Sequence, residues 1–333
     1  MATIYQVAEH ANVSLATVSR VINGNVKVSP KTLEKVQRAM KELGYTPNSI
    51  AQSLASNRTN RVGVLVSELS GPFFSNMLSV VEKELRDAGK HAIITAGHSD
   101  AAKEEEAIEF LLSCRCDALI LHIDAISDHY LVELQKRNVP FSLINHKIDA
   151  IAERCFSVDN EMGGYLATKA VIDAGHREIA YISGPAFKED AMLRLAGHKR
   201  ALNEAGITYN ADLVETGDFQ EESGKRGIQS IYERCPNFTA VVCGNDEMAT
   251  GAMFTARELG FALPDDLSIV GFDDLIFARY TYPTLSTIGN PVSEMGSMAT
   301  KWVLKEVYNQ PCDVAITNVF TPEFVQRRSL KEN

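Results

Sequence analysis

Ile4-Tyr5-Gln6-Val7-Ala8-Glu9-His10-Ala11-Asn12-Val13-Ser14-Leu15-Ala16-Thr17-Val18-Ser19-Arg20-Val21-Ile22-Asn23 holds two short helical patterns back to back. Ile4, Val7, Ala8 and Ala11 recur at i, i+3, i+4 and i+7, which is one face of a helix. Val18, Val21 and Ile22 line the second. Asn12-Val13-Ser14 is the turn between them, and its valine can plug the gap. Ser14 stands at the N-cap position, where its hydroxyl meets the free amides of the next helix. Thr17 stands where Glu or Gln would complete a capping box. Ala8 is small where two crossing helices come close. The spacing predicts a helix-turn-helix, whose second helix enters the DNA major groove.

With the valines buried, Leu15, Ala16, Thr17, Ser19 and Arg20 face outward. Arg can fork onto guanine, and small apolar groups can touch the thymine methyl. The hydroxyls of Ser14, Thr17 and Ser19 suit phosphate oxygens, which position without specifying. A helical hairpin packed on some other element would show the same stripes, so charge has to decide. The 333-residue chain carries −10 overall, yet residues 1–61 hold eight Lys/Arg against three Glu, a net +5, which leaves −15 on the rest. A basic head on an acidic body suits a molecule that meets phosphate with one end only.

Apolar residues make up 45% and charged residues 23%, the balance of a globular chain with sizeable cores in two or three domains. The cysteines at 114, 116, 155, 235, 243 and 312 form no Cys-x-x-Cys pair, and no His cluster supplies metal spacing. Buried free thiols are expected, with neither metal nor cofactor. The sequence shows no signal peptide and no long apolar run, which predicts a cytoplasmic protein without a membrane partner.

After a Gly24-Asn25 loop, Ser29-Pro30 opens a third helix, with Leu33, Val36, Met40 and Leu43 as its stripe and Gly44 at its end. Three helices around one small core are expected. In residues 47–57, Ile50 and Leu54 lie at i, i+4 beside Ala51 and Ala55. A helix of two turns does not persist alone in water. The segment reads either as a linker or as a hinge helix that forms only against a partner, with Leu54 wedged into the minor groove.

From Arg61 the rhythm becomes strand, helix, strand. Short apolar runs at 62–66, 92–95, 118–122, 141–144, 179–182, 240–243 and 268–270 alternate with helical patterns at 74–88, 101–114, 162–174, 191–205, 223–234 and 247–259. Alternation of this kind predicts an α/β architecture of parallel sheets covered by helices, here in two lobes. Ligands of such sheets bind beyond the carboxyl ends of the strands. Asn145, Asp159, Asn245 and Asp273 follow strand runs, Arg194 opens a helix after a loop, Phe219 follows Gly217-Asp218, and Phe73 precedes a long helix. Carboxylates accept, a guanidinium donates, amides do both, and aromatic rings can cover a sugar face. The set suits a polyol. Singly, each residue could cap a helix or hold a turn. No phosphate-binding glycine loop, nucleophile elbow or zinc-protease motif occurs, so catalysis is not expected. His98 with Asp100, and His176 beside Arg177, read as surface or core histidines.

The stretch from Ala2-Thr3-Ile4 to Val21-Ile22-Asn23, with Tyr45-Thr46-Pro47-Asn48 and Ala51-Gln52-Ser53-Leu54-Ala55, closely resembles the headpiece of the lactose/galactose repressor family. Gly71-Pro72-Phe73-Phe74, Arg194-Leu195-Ala196-Gly197, Asn245-Asp246-Glu247-Met248-Ala249 and Gly271-Phe272-Asp273-Asp274 resemble its effector domain. Asn237-Phe238-Thr239-Ala240-Val241, Ile316-Thr317-Asn318-Val319-Phe320 and Gln326-Arg327-Arg328-Ser329 are most similar to the galactose repressors and isorepressors. The resemblance implies a three-helix helix-turn-helix headpiece over 1–46, a hinge helix and linker over 47–60, and a periplasmic-binding-protein-like domain over 61–333. Its lobes would be 61–159 with 290–317, and 160–289 with 318–330, joined by three crossovers. It implies a homodimeric repressor of sugar-utilisation genes on palindromic double-stranded operator DNA, released by a sugar inducer, D-galactose first. A relative answering another sugar or a nucleoside, or using a corepressor, is the alternative. By position, Leu15, Ala16 and Arg20 read bases and Leu54 is the minor-groove lever, with Thr3, Tyr5, Asn23, Asn48 and Ala51 completing the DNA-facing set. Phe73, Asp159, Arg194, Phe219, Asn245 and Asp273 line the sugar pocket, with Asn145 and Asn290. Leu15 replaces the smaller Val usual in galactose repressors. The chain ends without a leucine-heptad tail, so a tetramer like the lactose repressor's is not expected.

Overall fold

Val7, Val18 and Val36 have no solvent exposure, and one comes from each of three short helices. In the computed structural model, which describes residues 2–22, 28–46 and 58–331, these helices are α1 (Ile4–His10), α2 (Leu15–Ile22) and α3 (Pro30–Glu42). Ala8, Ala11 and Ala39 complete their core, and Val13 packs against it from the turn. Thr3 caps α1 in a full capping box with Gln6. Ser14 accepts the Thr17 amide at 3.2 Å, and its hydroxyl bonds the Thr17 hydroxyl at 2.9 Å. Ser29 caps α3 with Pro30 behind it. Of the stripe expected on α3, Val36 is buried and Met40 and Leu43 pack against the core, joined by Ala39, while Leu33 in the first turn is 38% exposed. Asn23, Asn48, Ala51 and Leu54, and with them the expected hinge helix, lie outside the described residues.

Residues 1–60 and 61–333 form separate units. The second begins with β1 (Arg61–Val66), α4 (Pro72–Asp87), β2 (His91–Ala96), α5 (Ala101–Ser113), β3 (Ala118–Leu121), α6 (Asp128–Lys136), β4 (Phe141–Ile144) and β5 (Cys155–Val158). It continues through α7 (Asn160–Asp173), β6 (Ile179–Ser183), α8 (Glu189–Glu204), β7 (Val214–Thr216), α9 (Glu221–Arg234), β8 (Ala240–Cys243), α10 (Asp246–Glu258) and β9 (Ser268–Val270). It closes with β10 (Thr287–Gly289), α11 (Val292–Tyr308), β11 (Val319–Phe320) and β12 (Glu323–Val325). Two parallel sheets result, in the orders β11-β5-β4-β3-β1-β2 and β7-β6-β8-β9, and β10 pairs antiparallel with β12. Their central strands are mostly apolar runs because helices cover both faces. In the first lobe α4 and α11 share one core with Val64, Ile120 and Phe156, and α5 and α6 share the other with Leu65, Leu119 and Phe141. The second lobe is layered the same way, with α9 and α10 on one face and α7 and α8 on the other.

The chain passes between lobes three times, after Val158, between Gly289 and Val292, and after Phe320. The last passage falls later than the 317/318 boundary read from sequence. Val319 and Phe320 pair with Ser157 and Val158, and the Asn318 amide bonds the Cys155 carbonyl at 2.8 Å. All six cysteines are free thiols, of which only Cys155 and Cys243 are buried. No helix among the described residues is long and apolar enough to cross a membrane.

Glycines set the closest helix contacts. A Cβ on Gly164 of α7 would lie 2.0 Å from the Arg194 carbonyl oxygen, and one on Gly197 of α8 would lie 2.0 Å from that of Glu161. Gly224 and Gly251 repeat the arrangement between α9 and α10, against Met248 and Glu221. Backbone therefore packs on backbone, and the first turns of α8 and α10 are fixed where they enter the cleft. Gly197→Ala is expected to lower second-unit stability by about 1–3 kcal/mol or more. A thermal midpoint unchanged from wild type would show that the two helices can part at no cost.

Candidate functional site

On the headpiece, α2 turns Val18 inward and leaves Leu15, Ala16 and Arg20 exposed, with Thr17 and Ser19 half-buried. Ser14, Thr3 and Tyr5 are exposed as well, Tyr5 by 69%. An Arg beside small apolar groups on one helix face can fork onto a base edge and fill the space at a thymine methyl.

In the second unit, loops at the carboxyl ends of both sheets meet around a cavity of about 190 Å³. Phe73, Asn145, Arg194, Phe219, Asn245 and Asp273 line it, as the sequence predicts. Arg194 is 3% exposed. Its Nε donates to Asn160 Oδ1 at 2.9 Å, its Nη1 donates to the Gly244 carbonyl at 2.6 Å, and its guanidinium stacks 3.6 Å from the Phe272 ring centre. Nη1 also stands 3.7 Å from Asp273 Oδ1. Asn245 caps α10 by accepting the Met248 amide at 2.9 Å and donates to the Phe219 carbonyl at 2.8 Å. The capping and lining roles coexist. Phe219 sits at φ +69°, uncommon for a bulky residue, and its ring lies on the bare backbone of Gly184, where a Cβ would stand 2.2 Å from Cζ.

Two expected residues are placed elsewhere. Asp159 is exposed and caps α7 through the Met162 amide at 2.9 Å. It faces a neighbouring cavity beyond Asn145 and Asp190. Asn290 lies behind the lining at the second crossing and donates to Asp273 Oδ1 at 2.9 Å. It supports a lining residue without lining the cavity itself.

Sequence reading missed Glu68, Ser70, Phe74, His122, Asp124, Lys188, Asp190, Asp218, Gln220 and Glu247, all of which line the cavity. Several obey the rule that found the others. His122 and Asp124 directly follow β3, and Lys188 and Asp190 follow β6 and its loop. Lys188, Glu189 and Asp190 are consecutive, and each reaches the first lobe. Lys188 Nζ is 2.8 Å from Asp124 Oδ2, Glu189 Oε2 is 3.3 Å from His146 Nδ1, and Asn145 Nδ2 donates to Asp190 Oδ2 at 3.2 Å. His146 Nε2 is 2.8 Å from Asp128 on the other side. The Asp124 loop is held from behind. Buried Glu104 accepts the amides of Asp124, Ala125 and Ile126 at 3.0, 3.0 and 2.9 Å. Ser67 and Ser99 each donate to Asp124 Oδ2 at 2.6 Å.

Burial alone would push the Asp124 carboxyl up, but the Lys188 ammonium and the Ser67 hydroxyl hold it below the usual carboxylate range. Burial pushes the His122 imidazole down, towards its neutral form. One ring nitrogen of His122 meets Ser67 Oγ at 3.2 Å, while Nε2 is buried without a partner among the described residues. Phe73 and Phe74 pack edge-on against the same ring. Burial pushes Asp273 up to about 6 against the pull of Arg194. It pushes Asp246, behind Asp273, well above the usual range. Carboxylates, amides, a guanidinium and aromatic faces around so small a space can bind a compact molecule bearing several hydroxyls and an apolar ring face.

The fold and cleft define a two-lobed ligand-binding regulator with a helix-turn-helix headpiece. Residues 59–324 match the family described as periplasmic binding proteins and sugar binding domain of the LacI family, and residues 3–48 match the bacterial regulatory proteins of the lacI family. The chain belongs to the LacI family and is a transcriptional repressor. It is 40% identical to the HTH-type transcriptional regulator GalR of Escherichia coli (strain K12) over 330 residues, covering 99% of this chain and 96% of that one. It is 37% identical to the ribose operon repressor of Haemophilus influenzae, covering 99% of each chain. It is 35% identical to the HTH-type transcriptional repressor PurR of Proteus mirabilis, covering 100% of this chain and 98% of that one. Among solved structures, the lac repressor dimer bound to operator and the anti-inducer ONPF aligns with a TM-score of 0.86 at 29% identity, covering 99% of each chain. The complex of the regulator CelR with cellobiose aligns at 0.72 and 31%, covering 99% of this chain and 100% of that one. The proteins it resembles are regulators, in keeping with the absence of a catalytic motif.

Asp273 carries a pH dependence of known sign. Its folded value of about 6 lies above the ordinary 3.8. It therefore favours the folded state below about pH 4, and that contribution is lost as pH rises through 6. Asp246 acts in the same direction. The Asp273→Asn protein is expected to lose less stability than wild type between pH 4 and 7 in thermal unfolding, and parallel curves would remove Asp273 as the source.

Proposed function

We propose that the chain represses sugar-utilisation genes as a homodimer on a palindromic operator and is released when a monosaccharide, D-galactose first, fills the cleft. Identity of 40% to GalR across nearly the whole length carries this reading, and the polar, aromatic-flanked cavity supports it. Residues 1–46 form the DNA-binding headpiece, 47–60 the hinge and linker, and 61–333 the effector and dimerisation domain. Leu15, Ala16 and Arg20 read base edges. Thr3, Tyr5, Ser14, Thr17, Ser19, Asn23, Asn48 and Ala51 hold the backbone, and Leu54 opens the minor groove. Phe73, Asn145, Arg194, Phe219, Asn245 and Asp273 bind the sugar, and Asn290 steadies Asp273.

Two headpieces reading half-sites stand roughly 34–36 Å apart, one helical turn. A sugar shifts this equilibrium only by its difference in affinity for the DNA-bound and released forms. The turn at 188–190 is where that difference arises, because Lys188 and Asp190 both line the cavity and tie the lobes. Coupling of about 1–3 kcal/mol is typical of such systems. The similarity to PurR and to the ribose repressor favours a second reading, in which a pentose or purine derivative fills the cleft, as inducer or corepressor.

An operator duplex recovered from random sequence by selection tests both readings in fluorescence anisotropy. D-galactose is expected to weaken operator binding by about tenfold or more, equivalent to about 1.4 kcal/mol. Release by a pentose, or tightening by a purine, would replace galactose with the second reading. Arg20→Ala is expected to weaken operator binding by about 1–3 kcal/mol and to spare random-sequence DNA. Equal loss on both duplexes would end the base-reading role.

A further inference from the structure

The cleft is unevenly charged. Glu68, Asp124, Asp190, Asp218, Glu247 and Asp273 line it, against Lys188 and Arg194. Both cations are already committed. Lys188 is paired with Asp124 at 2.8 Å, and Arg194 donates to Asn160 and the Gly244 carbonyl and faces the carboxylates of Asp273 at 3.7 Å and Asp190 at 3.9 Å. An incoming phosphate or carboxylate would have to compete with these carboxylates for either cation.

The amino end of α4 is the feature of the cavity that most favours an anion. Gly71 caps it without a side-chain hydrogen bond, and Pro72 fills the first position. Helix amino ends attract negative charge. Glu247, in the first turn of α10 on the opposite lobe, already stands there: a Cβ built on Gly71 would lie 3.3 Å from Glu247 Oε1. Glu247 makes no hydrogen bond and no ion pair among the described residues. Its charged neighbours, Asp273 and Glu221, are both acidic, and burial raises its carboxyl further above the ordinary value. A second group awaits a ligand, since His122 is 4% exposed and its Nε2 has no partner among the described residues. A neutral imidazole there bonds a hydroxyl and adds no positive charge.

We infer that Glu247 sets the charge class of the effector: it bars phosphorylated and acidic sugars and receives a hydroxyl or, better, the ammonium of an amino sugar. The inference rests on the reading of this cleft as a monosaccharide site. Specificity of this kind comes from repulsion of the wrong ligand as much as from contact with the right one. A phosphoryl group would bring negative charge among six carboxylates, with both lining cations already facing carboxylates and the helix end already taken. An amine would relieve the crowding.

The test is calorimetry on the full-length protein at about pH 6.5, where a sugar amine is largely protonated. The ligands are matched trios: D-galactose with D-galactosamine and D-galactose 6-phosphate, and the same derivatives of D-glucose and D-mannose. Within whichever trio binds, the amine is expected to bind about tenfold or more tightly than the parent, and the phosphate about a hundredfold or more weakly. Glu247→Gln, with its fold checked by circular dichroism, is expected to cut the amine-to-parent affinity ratio about tenfold. Failure of galactose with success of another trio would overturn the galactose reading and leave the charge rule standing. A phosphorylated sugar binding as well as its parent, an amine ratio that Glu247→Gln leaves intact, or a panel in which nothing binds would overturn the charge rule.

Discussion

Arg194 is the residue on which the second unit's ligand-facing end depends. A guanidinium that is 3% exposed is costly to bury unless its donors are met. Here two are met by hydrogen bonds to Asn160, just past the first lobe crossing, and to Gly244 at the end of β8, and the charge is faced by Asp273 beyond β9 and Asp190 at the start of α8. One planar side chain thereby ties the ends of three separate segments, and the Phe272 ring supports its face. Lysine could not do this, because the arrangement uses the fixed fork and the flat stacking surface together. The Gly164 and Gly197 contacts serve the same end, since they let α8 lie close enough to α7 for Arg194 to reach Asn160.

From that fixed point the turn at 188–190 projects across the cleft. Its three contacts are of different kinds: a largely buried ion pair, a histidine held between carboxylates, and an amide bonded to a carboxylate. Both ring nitrogens of His146 face carboxylate oxygens, Asp128 on one side at 2.8 Å and Glu189 on the other at 3.3 Å. The partners in the first lobe are themselves braced. Glu104 is fully buried and spends its carboxylate on three consecutive backbone amides of the Asp124 loop. The two lobes meet through groups whose positions are set well before the cleft closes on anything.

Much of this was legible in the sequence because it follows from period and burial. The 3.6-residue stripes of α1 and α2, the mostly apolar runs of β1, β3, β4, β6 and β8, and the polar residues just past them are local signals. Strand-end position alone placed Asn145, Asn245 and Asp273 in the cavity. The same signal misplaced Asp159, because a helix cap and a ligand carboxylate look alike until the strand's exit direction is known. Lys188 and Glu247 were invisible for a different reason. Each sits in the first turn of a helix or just before it, where Glu is ordinary and a lone Lys belongs to no motif, and its meaning comes from the opposite lobe. Asn290 shows the converse, a residue expected in the pocket whose contact is with the residue that lines it. The boundary after Phe320 was missed because a two-residue strand carries no periodicity to read.

The coupling proposed between cleft and headpiece need not be assigned to a wire through the protein. The residues that hold the lobes together are also residues that line the cavity: Asp124, Asn145, Lys188 and Asp190 belong to both sets. A ligand that fills the cavity must then either share these groups or compete for them, so its binding energy cannot be independent of how tightly the lobes are closed. That shared ownership supplies the difference in affinity between two states without which no ligand can shift an equilibrium. It also explains why the surrounding scaffold is so heavily braced. A contact that can report occupancy must itself be weak enough to change, and the change is transmitted only if the groups behind it, Glu104 on one side and Arg194 on the other, do not give way first.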